Sequence, residues 1–246
     1  MPGDREFEFG VPFPGRVVPH DQWSTTGYRD DGKPFDWERV FGRSSARVVD
    51  LGCGNGRYLI GSALSRPDRD HVGVDLVQRA IDFAAHRANK RGLRNVRFVT
   101  GDAVPWLHER LVEGSVDEIH VYHPQPYYEA AEISKRMLTP DFLERAWRVL
   151  RPDGLLVLQT DNKAYWKYLL GAVPAYFNPE IVAGPWPEAP QGRTRREIQA
   201  RKKGLVIWRM AAHRLDAPNS VRISPPDFDA NRPRFRSGRW GKTGPR

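Results

Sequence analysis

Residues 49–57 read VDLGCGNGR: a β-rich run ends near Asp50, and Gly52, Gly54 and Gly56 open the next segment. Glycines at alternate positions let the backbone turn sharply and approach a ligand closely. In a dinucleotide fingerprint the third glycine falls three residues after the second. Here Gly56 comes only two after Gly54, which favours a nucleoside cofactor without a pyrophosphate. Asp75 closes the run HVGVD 23 residues after Gly52, near the spacing at which an acid meets ribose hydroxyls in open α/β sheets. Asp102 and Ala103 come after the next β-rich run, on the side where such sheets collect ligands. The bland reading of the loop is an ordinary tight turn, and of each Asp a helix N-cap. Three such features in order, at three successive strand ends, favour a cofactor site.

Outward from the loop, short β-rich runs alternate with helical patterns, the mark of a parallel sheet covered on both faces. Strands are expected at 47–51, 71–75, 95–99, 117–122 and 155–160, with a late strand at 205–212. Helices are expected at about 56–65, 78–91, 103–111, 140–150 and 162–172. For the helix at 140–150 Thr139 can cap the start, Pro140 suits the first position, and Leu143, Ala146, Trp147 and Leu150 form an apolar stripe. Residues 1–34 read as an arm that orders only in part, 35–213 as the domain, and 214–246 as a Pro-, Arg- and Gly-rich tail whose composition favours disorder.

The chain has 246 residues, one cysteine and a formal charge of +9. One cysteine builds neither a disulfide nor a thiolate metal cluster. No stretch approaches the ~18 apolar residues of a membrane span, and the start MPGDREFEFG lacks the basic-then-apolar run of a signal peptide. A cytoplasmic protein is expected. The excess charge is concentrated in two places: residues 193–203 carry six basic side chains against Glu197, and residues 214–246 carry eight against three acids. Two basic clusters on a nearly neutral body are an electrostatic footprint for a polyanion such as RNA.

Together Asp50, Gly52, Gly54, Gly56, Asp75 and Asp102 resemble the S-adenosylmethionine site of class I methyltransferases. The resemblance implies a Rossmann-like fold with a mostly parallel seven-stranded sheet and helices on both faces. Over residues 15–213 the chain resembles one family in particular, the bacterial tRNA (guanine-N7)-methyltransferases. The stretches PFDWERVFGRSSARVVDLGCGNG, QTDNKAYWKYL and RTRREIQARKKGLVIW carry the likeness. It implies S-adenosylmethionine as cofactor, and tRNA or another structured RNA as partner. It assigns the cofactor to Asp50, Asp75 and Asp102, and an RNA contact to Asp161. Thr194 and Glu197 match the ends of the family's T-x-x-E substrate motif, flanked here by Arg193, Arg195 and Arg196.

The chain departs from the family after the fourth strand, where an aromatic-Pro-Asp-Pro-Trp motif and a basic run are expected. Here the sequence is HPQPYYEAAEISKR. Gln125 replaces the acid, Tyr127 the Trp and Glu129 a Lys, leaving Lys135 and Arg136 of the basic run. Gln125 can orient a base or border the cofactor, but it cannot neutralise positive charge. Three readings stand side by side: guanine-N7 methylation of tRNA, methylation of another RNA, protein or small molecule, and an RNA-binding relative with little turnover.

Several residues keep two readings. Asp161 is either a substrate contact, with a catalytic role beside Gln125, or the cap of the next helix. Thr194 and Glu197 are either substrate residues or members of a solvated charged loop. Tyr127 and Tyr128 either stack on an extruded base or pack beneath the loop. His120 and His123 point to opposite faces of a strand, with no third ligand to make a metal site. Cys53 lacks a partner base for thiol catalysis.

Overall fold

The protein is seen in a computed structural model that describes residues 5–219 and 223–224. The arm forms β1 (Phe7–Glu8), β2 (Val11–Pro12) and β3 (Gly27–Tyr28). The body continues as α1 (Trp37–Phe41), β4 (Ala46–Leu51), α2 (Arg57–Ser65), β5 (Arg69–Asp75), α3 (Gln78–Asn89), β6 (Val96–Thr100), α4 (Ala103–Arg110) and β7 (Val116–Tyr122). Beyond these come α5 (Pro140–Val149), β8 (Leu150–Thr160), α6 (Lys163–Ala172), β9 (Phe177–Ile181), α7 (Arg195–Lys202) and β10 (Trp208–Arg214). The basic tail expected at 214–246 lies mostly outside the described residues, as do residues 1–4.

Among the described residues β1 and β2 pair as a hairpin, and the other eight strands join in the order β3-β6-β5-β4-β7-β8-β10-β9. Seven of the eight make the expected sheet, and the two-residue β3 is added at its edge by the arm. The six strands from β3 to β8 run parallel, while β10 is antiparallel to both β8 and β9. Apolar side chains on alternate strand positions are buried on both faces. One core gathers Val49, Leu51, Ile119 and Leu158 with α4, α5 and α6; the other gathers Val48, Phe98 and Val157 with α2 and α3. Strand order reverses between β4 and β7, so a crevice opens at their carboxyl ends, where open α/β sheets bind ligands.

Thr139 caps α5 as its sequence suggests, accepting from the Phe142 N–H at 3.2 Å. Three elements differ from expectation. The late strand begins at Trp208, leaving Leu205 and Val206 exposed before it. β9 contains Asn178 and Pro179, turn-formers in sequence, yet it is an edge strand, where a missing N–H is tolerated. The turn at Pro152–Gly154 lies within β8, with Asp153 at φ 60°. In the arm, buried Phe13 lies under the guanidinium groups of Arg87 and Arg91, at 4.0 and 4.8 Å.

Candidate cofactor and substrate site

Asp50, next to last in β4, is fully buried, and its Oδ1 has no hydrogen-bond partner among the described residues. Burial and the nearby Asp75 raise its pKa well above the usual carboxylate range, with Arg193 opposing. After it the chain folds back on β5: the Gly52 N–H donates to Val74 O at 2.8 Å, and the Gly54 N–H to Asp75 Oδ2 at 2.8 Å. Asp75 Oδ1 accepts from the Val77 N–H at 2.9 Å. All three loop glycines have positive φ, at 84°, 53° and 71°. Their surroundings differ. A Cβ on Gly56 would lie 2.8 Å from the Phe98 ring and 2.9 Å from Ala84, whereas one on Gly52 or Gly54 would meet nothing within 4 Å. Gly56 is demanded by packing; Gly52 and Gly54 leave an open cradle.

A cavity of about 230 Å³ adjoins this cradle, bordered by Asp50, Gly52, Gly54, Thr194, Arg195 and Arg196. Asp75, Asp102, Gln125 and Asp161 do not line it. Asp102 is exposed and caps α4, accepting from the Val104 N–H at 3.1 Å and placing buried Ala103 in the first turn. The capping reading therefore describes Asp102 directly.

On the far side of the crevice lies a network that sequence reading missed. His123, at φ 52°, comes directly after β7 and donates its backbone N–H to Gln159 O at 2.7 Å. Its Nε2 is 2.9 Å from Gln159 Nε2, and its Nδ1 is 2.8 Å from Asp161 Oδ1. Gln159 Oε1 accepts from Trp186 Nε1 at 2.7 Å and Arg209 Nε at 3.1 Å, so the amide nitrogen must face His123. His123 Nε2 is then the acceptor, and Nδ1–H donates to Asp161, a tautomer assigned from the network. Asp161 Oδ2 accepts from exposed Arg196 at 2.6 Å. Burial would raise the Asp161 pKa, but His123 and Arg196 outweigh it and hold the carboxyl well below its ordinary range. Asn162, not Asp161, caps α6, accepting from the Tyr165 N–H at 2.9 Å, which removes the capping reading of Asp161.

The T-x-x-E pair is built into the scaffold. Thr194 Oγ1 accepts from the Glu197 N–H at 3.1 Å and caps α7. Glu197 is 0% exposed. Its Oε2 accepts from the Arg193 N–H at 2.8 Å and from Gln159 Nε2 at 3.1 Å, and its Oε1 from Arg209 at 2.5 Å. This is close to a capping box, shifted one residue upstream. Glu197 was expected to face substrate; here its oxygens are spent internally. Arg193 is likewise turned inward, stacked 3.7 Å from the Trp186 ring and bonded to the Tyr122 hydroxyl at 2.8 Å. Of the three arginines expected to face RNA, Arg195 and Arg196 are exposed.

Gln125 is exposed in the loop after β7. Tyr127 has φ 39°; its carbonyl accepts from Arg136 Nη2 at 2.8 Å, and Lys135 lies 6.0 Å over its ring. Tyr128 packs on the core and its hydroxyl bonds to Asn162. His120 is buried beneath α2, contacting Tyr58 and Tyr122 hydroxyls at 2.9 Å each. Among the described residues no group of three or more His, Cys, Asp or Glu is placed to hold a metal, and no helix is long and apolar enough to cross a membrane.

A family described as "Putative methyltransferase" matches residues 44–210. The tRNA (guanine-N(7)-)-methyltransferase of Leifsonia xyli subsp. xyli is 33% identical over 184 residues, covering 74% of this chain and 80% of its own length. The chain belongs to the tRNA (guanine-N(7)-)-methyltransferase family. Another relative of that name, from Alkalilimnicola ehrlichii, is 30% identical over 71% of this chain and 73% of its own. The crystal structure of the 16S rRNA methyltransferase KamB superposes with a TM-score of 0.54, covering 72% of this chain and 92% of that one. At 15% identity it shows the fold alone.

The cofactor of this methyltransferase family is S-adenosylmethionine, and the residues present fit it. Partnerless Asp50 Oδ1 suits a cationic donor, whose ammonium and sulfonium supply positive charge. The open backbone at Gly52 and Gly54 admits a bulky group. Asp75, half-buried at a strand end, keeps lone pairs beyond its two backbone bonds for ribose hydroxyls. The sequence signal for the missed network was Gln159 itself, a polar residue among Leu156, Val157 and Leu158 on a central strand.

Proposed function

We propose that the protein transfers the methyl group of S-adenosylmethionine to N7 of a guanine in tRNA, acting in the cytoplasm. One observation carries the reading. The cavity at the cofactor loop is shared by Asp50, Gly52 and Gly54 on one side and Arg195 and Arg196 on the other, and Arg196 bonds directly to Asp161. A methyl donor held by the first group and a nucleotide met by the second would share one crevice.

When bound, the cofactor supplies an electrophilic methyl on sulfur. Guanine N7 has an in-plane lone pair, so it would take that methyl directly as the carbon–sulfur bond breaks, leaving a neutral thioether and a cationic guanine ring, and no proton need be removed beforehand. Asp50 and Asp75 would orient the donor over the open backbone of Gly52 and Gly54, and Asp161 would hold the guanine and offset the charge it gains. Alignment of this kind supplies about 7–11 kcal/mol when geometry is good. Gln125 would orient the base with its amide, without the countercharge an acid would offer.

Incubation of unmodified tRNA with the protein and labelled S-adenosylmethionine, followed by nucleoside mass analysis, is expected to yield 7-methylguanosine. A different methylated nucleoside would support the second reading, another RNA position, which the HPQPYYE loop favours. Absence of any methylated nucleoside, despite calorimetric binding of the cofactor, would refute both.

A further inference from the structure

We infer that the β1–β2 hairpin is a base-stacking element of the RNA interface: the rings of Phe7 and Phe9 receive unpaired nucleotides, and α7 holds the adjoining phosphates. The inference rests on RNA being the substrate. Two large rings stand in solvent at this hairpin, Phe7 61% exposed and Phe9 37% exposed. The hairpin tip, Phe9–Gly10, has φ of 51° and 74° at its two residues, the pattern of a tight primed turn. Phenylalanine rarely enters that region. The conformation is held from below, where Lys202 Nζ donates to the Phe9 carbonyl and the Arg195 guanidinium lies 5.0 Å from the Phe9 ring.

Strand alternation turns Phe7 outward and Glu8 inward, and the turn carries Phe9. Glu8, between the two rings, points inward and is buried; its Oε1 accepts from Asn55 Nδ2, within the cofactor loop, at 2.6 Å. Glu8 also pairs with Arg57, Arg87 and Arg195 at 3.6, 3.5 and 3.8 Å. The hairpin is thus pinned to the cofactor loop on one side and to the basic helix on the other, with its aromatic faces outward. A rigidly mounted ring loses little freedom when a base stacks on it. Aromatic rings interleaved with cations are the composition that single-stranded nucleic acid binds. Arg195 and Arg196, with side chains 54% and 52% exposed, supply charge.

The test uses the full chain and a fluorescently labelled, unmodified tRNA transcript. The double variant Phe7→Ala/Phe9→Ala is expected to bind the transcript about 10-fold more weakly or worse. Its salt dependence and its calorimetric affinity for S-adenosylmethionine should not change, because neither ring carries charge or lines the cavity at the loop. Phe7→Tyr/Phe9→Tyr should restore binding. Arg195→Ala should instead reduce the slope of log affinity against log salt, by about 0.7–0.9 if one phosphate contact is lost. Wild-type RNA affinity in the double alanine variant would overturn the inference. So would a parallel fall in cofactor affinity, which would make the hairpin only a brace for the loop. A wild-type protein that neither binds nor methylates the transcript would sink the proposed function and this inference together; an active wild type with an indifferent double variant sinks the hairpin alone.

Discussion

Asp50 and Glu197 are both buried carboxylates beside the same crevice, yet their surroundings are opposite. Asp50 keeps an oxygen without a partner and faces a cradle that no side chain fills. Glu197 spends both oxygens on Arg193, Gln159 and Arg209. A buried polar atom without a partner costs free energy, so it persists where a ligand completes it. A saturated cluster holds shape and has little left to offer a ligand. The contrast separates a carboxylate with an open oxygen from one whose oxygens are both engaged, which likeness alone did not do.

The largest effect should come from the saturated side. Glu197→Ala leaves Arg209 buried without its carboxylate, and loss of one partner of a buried pair costs about 3–5 kcal/mol; urea unfolding should show a loss of that size. An unchanged midpoint would mean that the network is ornamental. Gly56→Ala comes next, because strain at positive φ and overlap with Phe98 and Ala84 act together, costing about 2–4 kcal/mol of stability. Gly52→Ala should lose less stability and more cofactor affinity, since its added methyl enters the cradle. Equal stability losses for the two would break the contrast.

Asp50→Asn should be neutral or stabilising without cofactor, because it removes a charge that burial disfavours. It should nevertheless weaken S-adenosylmethionine binding at least 10-fold, the scale of a lost charge-assisted hydrogen bond. Calorimetry paired with thermal unfolding reads both, and a parallel fall in the two would place Asp50 in the scaffold.

Acid sharpens the comparison least. His71, buried under α2, accepts from the Ser62 hydroxyl at 2.9 Å and donates to Asn95 O at 3.2 Å, and burial lowers its pKa from 6.5 to about 3. Between those values the unfolded chain binds the extra proton, so stability is full above about pH 6.5 and falls as pH drops. Between pH 7 and 5 the loss should be on the order of 2 kcal/mol. His71→Gln should flatten that dependence; an unaltered slope would assign it to other groups.

How much was legible varied with the range of the interaction. The glycine loop and the acids near the ends of β4, β5 and β6 were readable because each is a local pattern at a strand end. The stretch 205–212 was misplaced because Leu205 and Val206 are apolar yet exposed, and β9 was hidden by Pro179. Asp161 kept two readings until Asn162 took the cap. Glu197 and Arg193 looked like members of a charged surface run and proved internal. Nothing in the local sequence says that Gln159, 38 residues upstream of Glu197, is its partner.

Sequence by itself determined the parallel α/β architecture, the glycine loop with an acid near each of three successive strand ends, and the concentration of positive charge around 193–203. These arise from periodicity, spacing and net charge, which need no knowledge of distant neighbours. Only the tertiary structure decided which charged residues remain available to a ligand. That choice depends on burial and on the partner each group meets, and the partners of Glu8, Asp161 and Glu197 come from segments far apart in the chain.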